Sequence, residues 1–94
     1  NMGQPAMRFS THQVLTSGSS SSASSAFGSN TEVIRISSTI ACHIQIAVSP
    51  TATTSTPIVP ANDVEYIKVS EGEKIAVLRI GGSDGKLHVT ELTE

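Results

Sequence analysis

Cysteine and histidine stand side by side at positions 42 and 43, and both residue types bind transition metals or take part in nucleophilic catalysis. The pair lies within residues 40–48, where Ile, Cys, Ile, Ile and Val alternate with smaller or polar residues. Such a period of two predicts a half-buried strand, in which neighbouring side chains point to opposite faces. We therefore predict that Cys42 is a buried thiol, that His43 lies on the polar face, and that the two do not share an ion.

The other histidines, His12 and His88, are 76 positions apart and belong to different predicted segments. No closely spaced pair of histidines or cysteines has the spacing typical of a zinc site or of a cupin-type metal enzyme. The sequence therefore predicts no metal site and no cofactor.

A second candidate for chemistry is the segment GGSDG at residues 81–85, which matches the G-x-S-x-G pattern of a hydrolase nucleophile. That motif requires a strand before it and a helix after it, whereas the residues that follow alternate as in a strand. We predict a glycine-rich loop between two strands and no catalytic residue, so the protein is not expected to be an enzyme.

Length and charge limit the functions further. Ninety-four residues permit one domain, and a net charge of −2 is too small and of the wrong sign to attract nucleic acid phosphates. No apolar run approaches the roughly 20 residues that cross a bilayer, so no membrane partner is expected. The single cysteine excludes an intrachain disulfide, and the apolar residues are mainly Ile, Val and Leu, which predicts an aliphatic β-rich core.

Residues 1–30 are predicted to form an extended arm, because residues 17–30 are rich in serine and carry too little apolar area to fold alone. The alternative is a short strand over residues 9–16 that pairs with the same domain. In the arm model, apolar side chains enter grooves on a partner, and Tyr66 of the domain is a further interface candidate. The predicted interface residues are Met7, Phe9, Val14, Leu15, Phe27 and Tyr66.

Residues 31–94 are predicted to be an all-β domain, a small antiparallel β-sandwich or jelly-roll-like barrel. Predicted strands are 31–37, 40–48, 64–70, 74–80 and 86–92, with turn residues between them. The first two are expected to pair as an antiparallel hairpin. About 64 residues with few large side chains bury a modest core, which favours completion by neighbouring chains.

Residues spread over the last two thirds of the chain carry a resemblance to a protein family. They are Ala41, Cys42, His43, Pro50, Thr51, Ala52, Thr53, Pro60, Ala61, Glu65, Tyr66, Val69, Gly72, Lys74, Ala76, Val77, Leu87, Val89, Thr90, Glu91 and Leu92. The pattern resembles short all-β proteins encoded among the head and structural genes of tailed bacteriophages and prophages. The resemblance implies a capsid decoration (cement) protein on the virion surface, with the major capsid protein and itself, as a homotrimer, for partners.

Two other functions remain open from the sequence. A tail or fibre adaptor of the same phages would share this composition but occur in few copies. A small carbohydrate-binding module would use the β-sandwich as its platform, although sugar binding relies on exposed aromatic rings and the chain has only two Phe and one Tyr.

Overall fold

Residues 6–94 are described by a computed structural model, which has two four-stranded antiparallel sheets and no helix in that range. The predicted all-β class and sandwich architecture are thereby confirmed. The strands are β1 (Arg8–Ser17), β2 (Ser22–Ala23), β3 (Val33–Ser38), β4 (Cys42–Ala47), β5 (Ile58–Val59), β6 (Val64–Lys68), β7 (Lys74–Arg79) and β8 (Gly85–Thr93).

Strand pairing follows a nested pattern. The first sheet has the order β1-β8-β3-β6 and the second the order β2-β7-β4-β5. Each strand of the first half pairs with one of the second half: β1 with β8, β2 with β7, β3 with β6 and β4 with β5. The chain is thus equivalent to one long hairpin that reverses between β4 and β5 and is then rolled into two layers.

The core between the two sheets is aliphatic, as the composition predicts. Side chains from both sheets and from the segment before β3 form one cluster. Its buried members are Phe27, Ile34, Ile36, Cys42, Ile44, Val59, Val69, Ile75, Val77, Leu87 and Val89. Branched side chains pack well on pleated surfaces, so this composition stabilises two facing sheets without a large aromatic residue from either sheet.

The structure does not show the predicted N-terminal arm over residues 6–30, which pack on the same domain. β1 forms an edge strand of the first sheet along β8, which corresponds to the alternative strand within residues 9–16. The serine-rich segment continues through β2 in the second sheet, and Phe27 is 2% exposed in the core. The boundary at residue 30 therefore does not separate an arm from a domain.

Hydrogen bonds explain how a serine-rich segment can be ordered on its own domain. The Ser24 hydroxyl accepts the Ile75 amide at 3.0 Å and donates to the Ser25 carbonyl at 2.9 Å. Further along, the buried Glu91 carboxylate accepts the Gly28 amide at 3.1 Å and the Thr31 hydroxyl at 2.5 Å. These hydrogen bonds stabilise the ordered segment. They offset part of the conformational entropy that a serine-rich segment loses when it becomes ordered.

The prediction that β3 and β4 pair as a hairpin is also wrong. β3 pairs with β6 and β8 in the first sheet, whereas β4 pairs with β5 and β7 in the second. Residues 39–41 carry the chain from one sheet to the other, and Ile36 and Ile44 belong to the same core cluster from opposite sheets. The residues Ser38-Thr39 lack the glycine or asparagine that two-residue hairpin turns require.

Two buried serines provide a test of the packing. Ser17 is fully buried, and its hydroxyl has no hydrogen-bond partner among residues 6–94, whereas the Ser24 hydroxyl makes the two bonds described above. Ser17→Ala removes an unpaired polar atom and is expected to leave the free energy of unfolding unchanged or raise it. Ser24→Ala leaves the Ile75 amide without its acceptor and is expected to cost about 1–2 kcal/mol. Urea unfolding of both variants measures this difference, and a larger loss for Ser17→Ala than for Ser24→Ala would contradict it.

Candidate interaction surface

The outer face of the first sheet carries most of the large hydrophobic side chains that are exposed among residues 6–94. Because Ile34, Ile36, Leu87 and Val89 point into the core, the alternate residues of the same strands point outward. The strand register places these outward residues in three rows across the four strands, in the order β1, β8, β3, β6. The rows are Phe9, Leu92, Val33 and Lys68; His12, Thr90, Arg35 and Tyr66; and Val14, His88, Ser37 and Val64.

Apolar side chains concentrate at one end of this face. A groove of about 600 Å³ crosses the sheet there. It is lined by Met7, Phe9, Val33, Tyr66, Ile67, Lys68 and Leu92. Phe9 is 70% exposed and Tyr66 64% exposed, so two of the three aromatic side chains of the protein stand on this face in contact with solvent. We call the surface formed by the three rows, together with Met7, the aromatic face.

Cationic side chains accompany the aromatic rings. Arg35 and Lys68 occupy outward positions in the first two rows, and Lys86 extends the face beyond Val14 and His88, since it pairs with Thr16. The Arg35 guanidinium lies 5.9 Å from the centre of the Phe9 ring, within the range of a cation–π contact. None of the twelve row positions carries Asp or Glu. Glu32 and Glu94 lie outside the rows, where they line an adjoining groove.

The structure brings some of the predicted interface residues together and separates others. Met7, Phe9 and Tyr66 line one groove although they come from distant parts of the chain, and Val14 is 49% exposed on the same face. Leu15 points the other way and packs against the core cluster, and Phe27 is buried within it. Phe27 therefore offers almost no surface to a partner in this fold, whereas Leu15 is only partly buried.

Cys42 and His43 point to different environments, as alternation along a strand predicts. Cys42 is fully buried in the core, and burial raises the pKa of its thiol, although a hydrogen bond with the Ser38 side chain acts in the opposite direction. A neutral buried thiol is a poor nucleophile and a poor metal ligand. The His43 ring bonds through Nδ1 to the Thr56 carbonyl at 2.8 Å, which ties the loop after β4 to the second sheet.

The GGSDG segment forms the loop after β7 over residues 81–84, as predicted, and its last glycine begins β8, so a strand and not a helix follows the serine. Gly81 has φ of 88°, a left-handed conformation that glycine adopts without strain. Asp84 forms an ion pair with Arg79 at the end of β7. This arrangement closes a turn and lacks the strand-loop-helix context of a nucleophile elbow.

His12 and His88, which the sequence places far apart, are neighbours on the aromatic face. The antiparallel pairing of β1 with β8 brings the Nε2 atom of His12 to 3.2 Å from the Nδ1 atom of His88, with ring centres 5.3 Å apart. The His12 Nδ1 atom lies 2.7 Å from the Thr90 hydroxyl. Sequence reasoning missed this pair because it assigned His12 to the arm. The pair could have been found from the alternative prediction of a strand over residues 9–16, if that strand is paired antiparallel with the last strand.

Comparison of the chain with protein-family models, with curated proteins and with solved structures gives no match in any of the three. Within residues 6–94 no three His, Cys, Asp or Glu side chains lie together as a metal-binding group. The same part of the chain contains no helix long and apolar enough to cross a membrane.

Proposed function

We propose that the chain is a jelly roll that decorates the capsid of a tailed bacteriophage and binds the shell through the aromatic face. The topology supports the first part, since a jelly roll is an eight-stranded double sheet built from two Greek keys. In this chain all four pairs between the two halves follow the nested order expected of a rolled-up hairpin. Viral capsid and lectin domains use this architecture.

The exposure of Phe9 and Tyr66 is the single observation that carries the binding function. A chain with three aromatic residues exposes two of them on one sheet face, next to cations and without a carboxylate in the rows. Aromatic residues and arginine are enriched at the centres of protein interfaces, where they supply most of the binding free energy. The face therefore fits a partner with an apolar centre and carboxylates positioned over Arg35, Lys68 and Lys86.

The size of the face favours several copies acting together. Four strands about 4.8 Å apart, over about eight residues of each strand, give a sheet face of the order of 500 Å². A standard stable interface buries about 800 Å² on each partner, so one copy alone would bind weakly. A homotrimer on a shell triples the contact and gains from avidity, which agrees with the oligomer that the resemblance implies. The proposal assigns the protein no catalytic residue and places it on the virion surface.

Binding to purified shells tests this function. Shells isolated without the protein, from the phage or prophage that encodes it, are expected to bind the purified chain and to saturate at a fixed ratio to the major capsid protein. Bound copies counted by quantitative mass spectrometry also separate the alternatives, because a tail or fibre adaptor would be present in few copies per particle. Absence of binding to shells, or a handful of copies at one vertex, would contradict the decoration role.

A carbohydrate-binding module is the second candidate, and the exposed rings of Phe9 and Tyr66 favour it because sugars stack on such rings. Both functions use the same face, so loss of the rings does not separate them. Screening the purified chain on a glycan array does. Specific binding to one glycan class together with no binding to shells would favour the module over the decoration protein.

A further inference from the structure

We propose that His12 and His88 form a binding site for a divalent transition-metal ion, with Zn²⁺, Ni²⁺ or Cu²⁺ as the class of ligand, on the outer face of the first sheet. The two nitrogens that face each other are 3.2 Å apart. Two nitrogens that bind one zinc ion at about 2.05 Å each, at the tetrahedral angle, are about 3.3 Å apart. The spacing already present therefore matches that of two nitrogens on a shared ion, and rotation of the rings would direct both lone pairs toward it.

Hydrogen bonding prepares one of the two ligands. The His12 Nδ1 atom lies 2.7 Å from the Thr90 hydroxyl, and in the tautomer that donates Nδ1–H to this oxygen the Nε2 lone pair of His12 is directed at His88. A hydrogen-bond partner on the second ring nitrogen orients the ring of a metal-binding histidine. With His12 in this tautomer, the hydrogen bond between the rings takes its proton from His88 Nδ1. Binding of the ion moves this proton to the Nε2 atom of His88, so that both facing nitrogens become ligands.

The cations nearest the pair on this face are held by other groups. The Lys86 ammonium, on the row next to His88, donates to the Thr16 hydroxyl at 2.9 Å. Arg35, which pairs with Thr90, has its guanidinium over the Phe9 ring. Two imidazoles suit zinc, nickel and copper, and water or an acidic group of a bound partner supplies the remaining coordination positions. The site goes beyond the proposed docking function and does not require it.

A metal ion bound to His12 and His88 is expected to stabilise the fold. The ligands come from the first and last strands of the sandwich, 76 residues apart in sequence, so an ion joins the two ends of the described chain. An ion that binds the folded state and not the unfolded state raises the midpoint of thermal unfolding as its concentration rises. The ion would therefore stabilise the edge strand β1 against opening.

Calorimetric titration of the purified chain with ZnCl₂ at pH 7.5 tests the site, with thermal unfolding followed in the same buffer. We expect one Zn²⁺ per chain and a midpoint that rises with zinc concentration. His12→Ala and His88→Ala are each expected to weaken binding by at least about tenfold and to abolish the rise. His12→Phe keeps an aromatic ring at this position and removes both ring nitrogens, so it replaces the alanine variant in this test if that variant is poorly folded. Thr90→Val is expected to weaken binding less than loss of either ligand.

His43→Gln is the matched control, because it removes an imidazole from the other sheet and keeps the pair. It is expected to leave zinc affinity unchanged. No binding at 1 mM zinc, an order-of-magnitude limit for a specific site of this kind, would overturn the proposal. So would binding that is equally strong in the His12 and His88 variants.

Discussion

Replacement of Phe9 and Tyr66 together by threonine is expected to weaken attachment to the shell by at least about 100-fold. Buried aromatic residues at the centre of an interface typically contribute 2 kcal/mol or more each, and about 1.4 kcal/mol corresponds to a tenfold change in affinity. Both rings are largely exposed in the free chain, so their loss removes little core packing. Threonine retains the preference for extended structure at both strand positions. Co-sedimentation of the variant with shells over a range of concentrations measures the effect.

Ile58→Thr provides the matched control for this prediction. Ile58 is 62% exposed, like the two rings, but it lies on β5 in the second sheet. Its replacement is expected to leave shell binding unchanged. Equal losses from Ile58→Thr and from the double variant would show that general exposed apolar area, and not the aromatic face, drives attachment.

Gly85→Ala is expected to destabilise the fold by about 1–3 kcal/mol, the usual cost of overpacking, and to lower the unfolding midpoint by roughly 5–20 °C. A Cβ atom at Gly85 would lie 2.5 Å and 2.8 Å from the two γ carbons of Ile40 and 2.8 Å from the Thr39 hydroxyl. That hydroxyl accepts the Lys86 amide at 2.9 Å. The added methyl group thus disturbs the crossing between the sheets and the start of β8 together. Thermal unfolding followed by circular dichroism measures the change.

Gly82→Ala is the control, since a Cβ atom there meets nothing within 4 Å and the backbone does not require glycine. It is expected to leave the midpoint nearly unchanged. Ile40→Ala combined with Gly85→Ala is expected to recover part of the loss, because the shorter side chain removes two of the close contacts. A Gly85→Ala variant as stable as Gly82→Ala would contradict the close packing at this crossing.

Local alternation along the chain was sufficient to predict β3, β4, β6, β7 and β8 and most of the core. Ile34, Ile36, Leu87 and Val89 alternate with polar residues and point inward as expected. The inner face of β7 differs from the one that alternation indicates, which is Ala76, Leu78 and Ile80. Ile75, Ala76 and Val77 are all buried, Ile75 and Val77 belong to the core cluster, and Ile80 is exposed. In a strand covered on both sides, hydrophobicity alone does not distinguish the two faces.

Strand pairing and the position of the N-terminal segment were not predictable in the same way. Pairing of β1 with β8 joins residues at opposite ends of the chain, and local propensity contains no information about such distant partners. The composition of the serine-rich residues after β1 predicts that they do not fold alone. In the structure, however, Phe27 lies in the core, and the Glu91 carboxylate on β8 accepts a hydrogen bond from the Gly28 amide. Tertiary contacts therefore decide the structure of this segment.

Candidate site residues were likewise predictable only where residue type alone was sufficient to identify them. The sequence singled out Met7, Phe9 and Tyr66 from residue type alone, and the register of the first sheet brings them to one groove. It did not find the His12–His88 pair, which depends on the β1–β8 register. An extended arm that enters grooves on a partner is absent from the described residues, and the exposed aromatic face takes its place as the basis for the proposed docking.

Imaging of the decorated shell at residue resolution tests the docking proposal most directly. The account predicts the first sheet turned toward the shell, with Phe9 and Tyr66 buried against the major capsid protein and β1 still paired with β8 of its own chain. A chain bound through its second sheet, with both rings left in solvent, would contradict it.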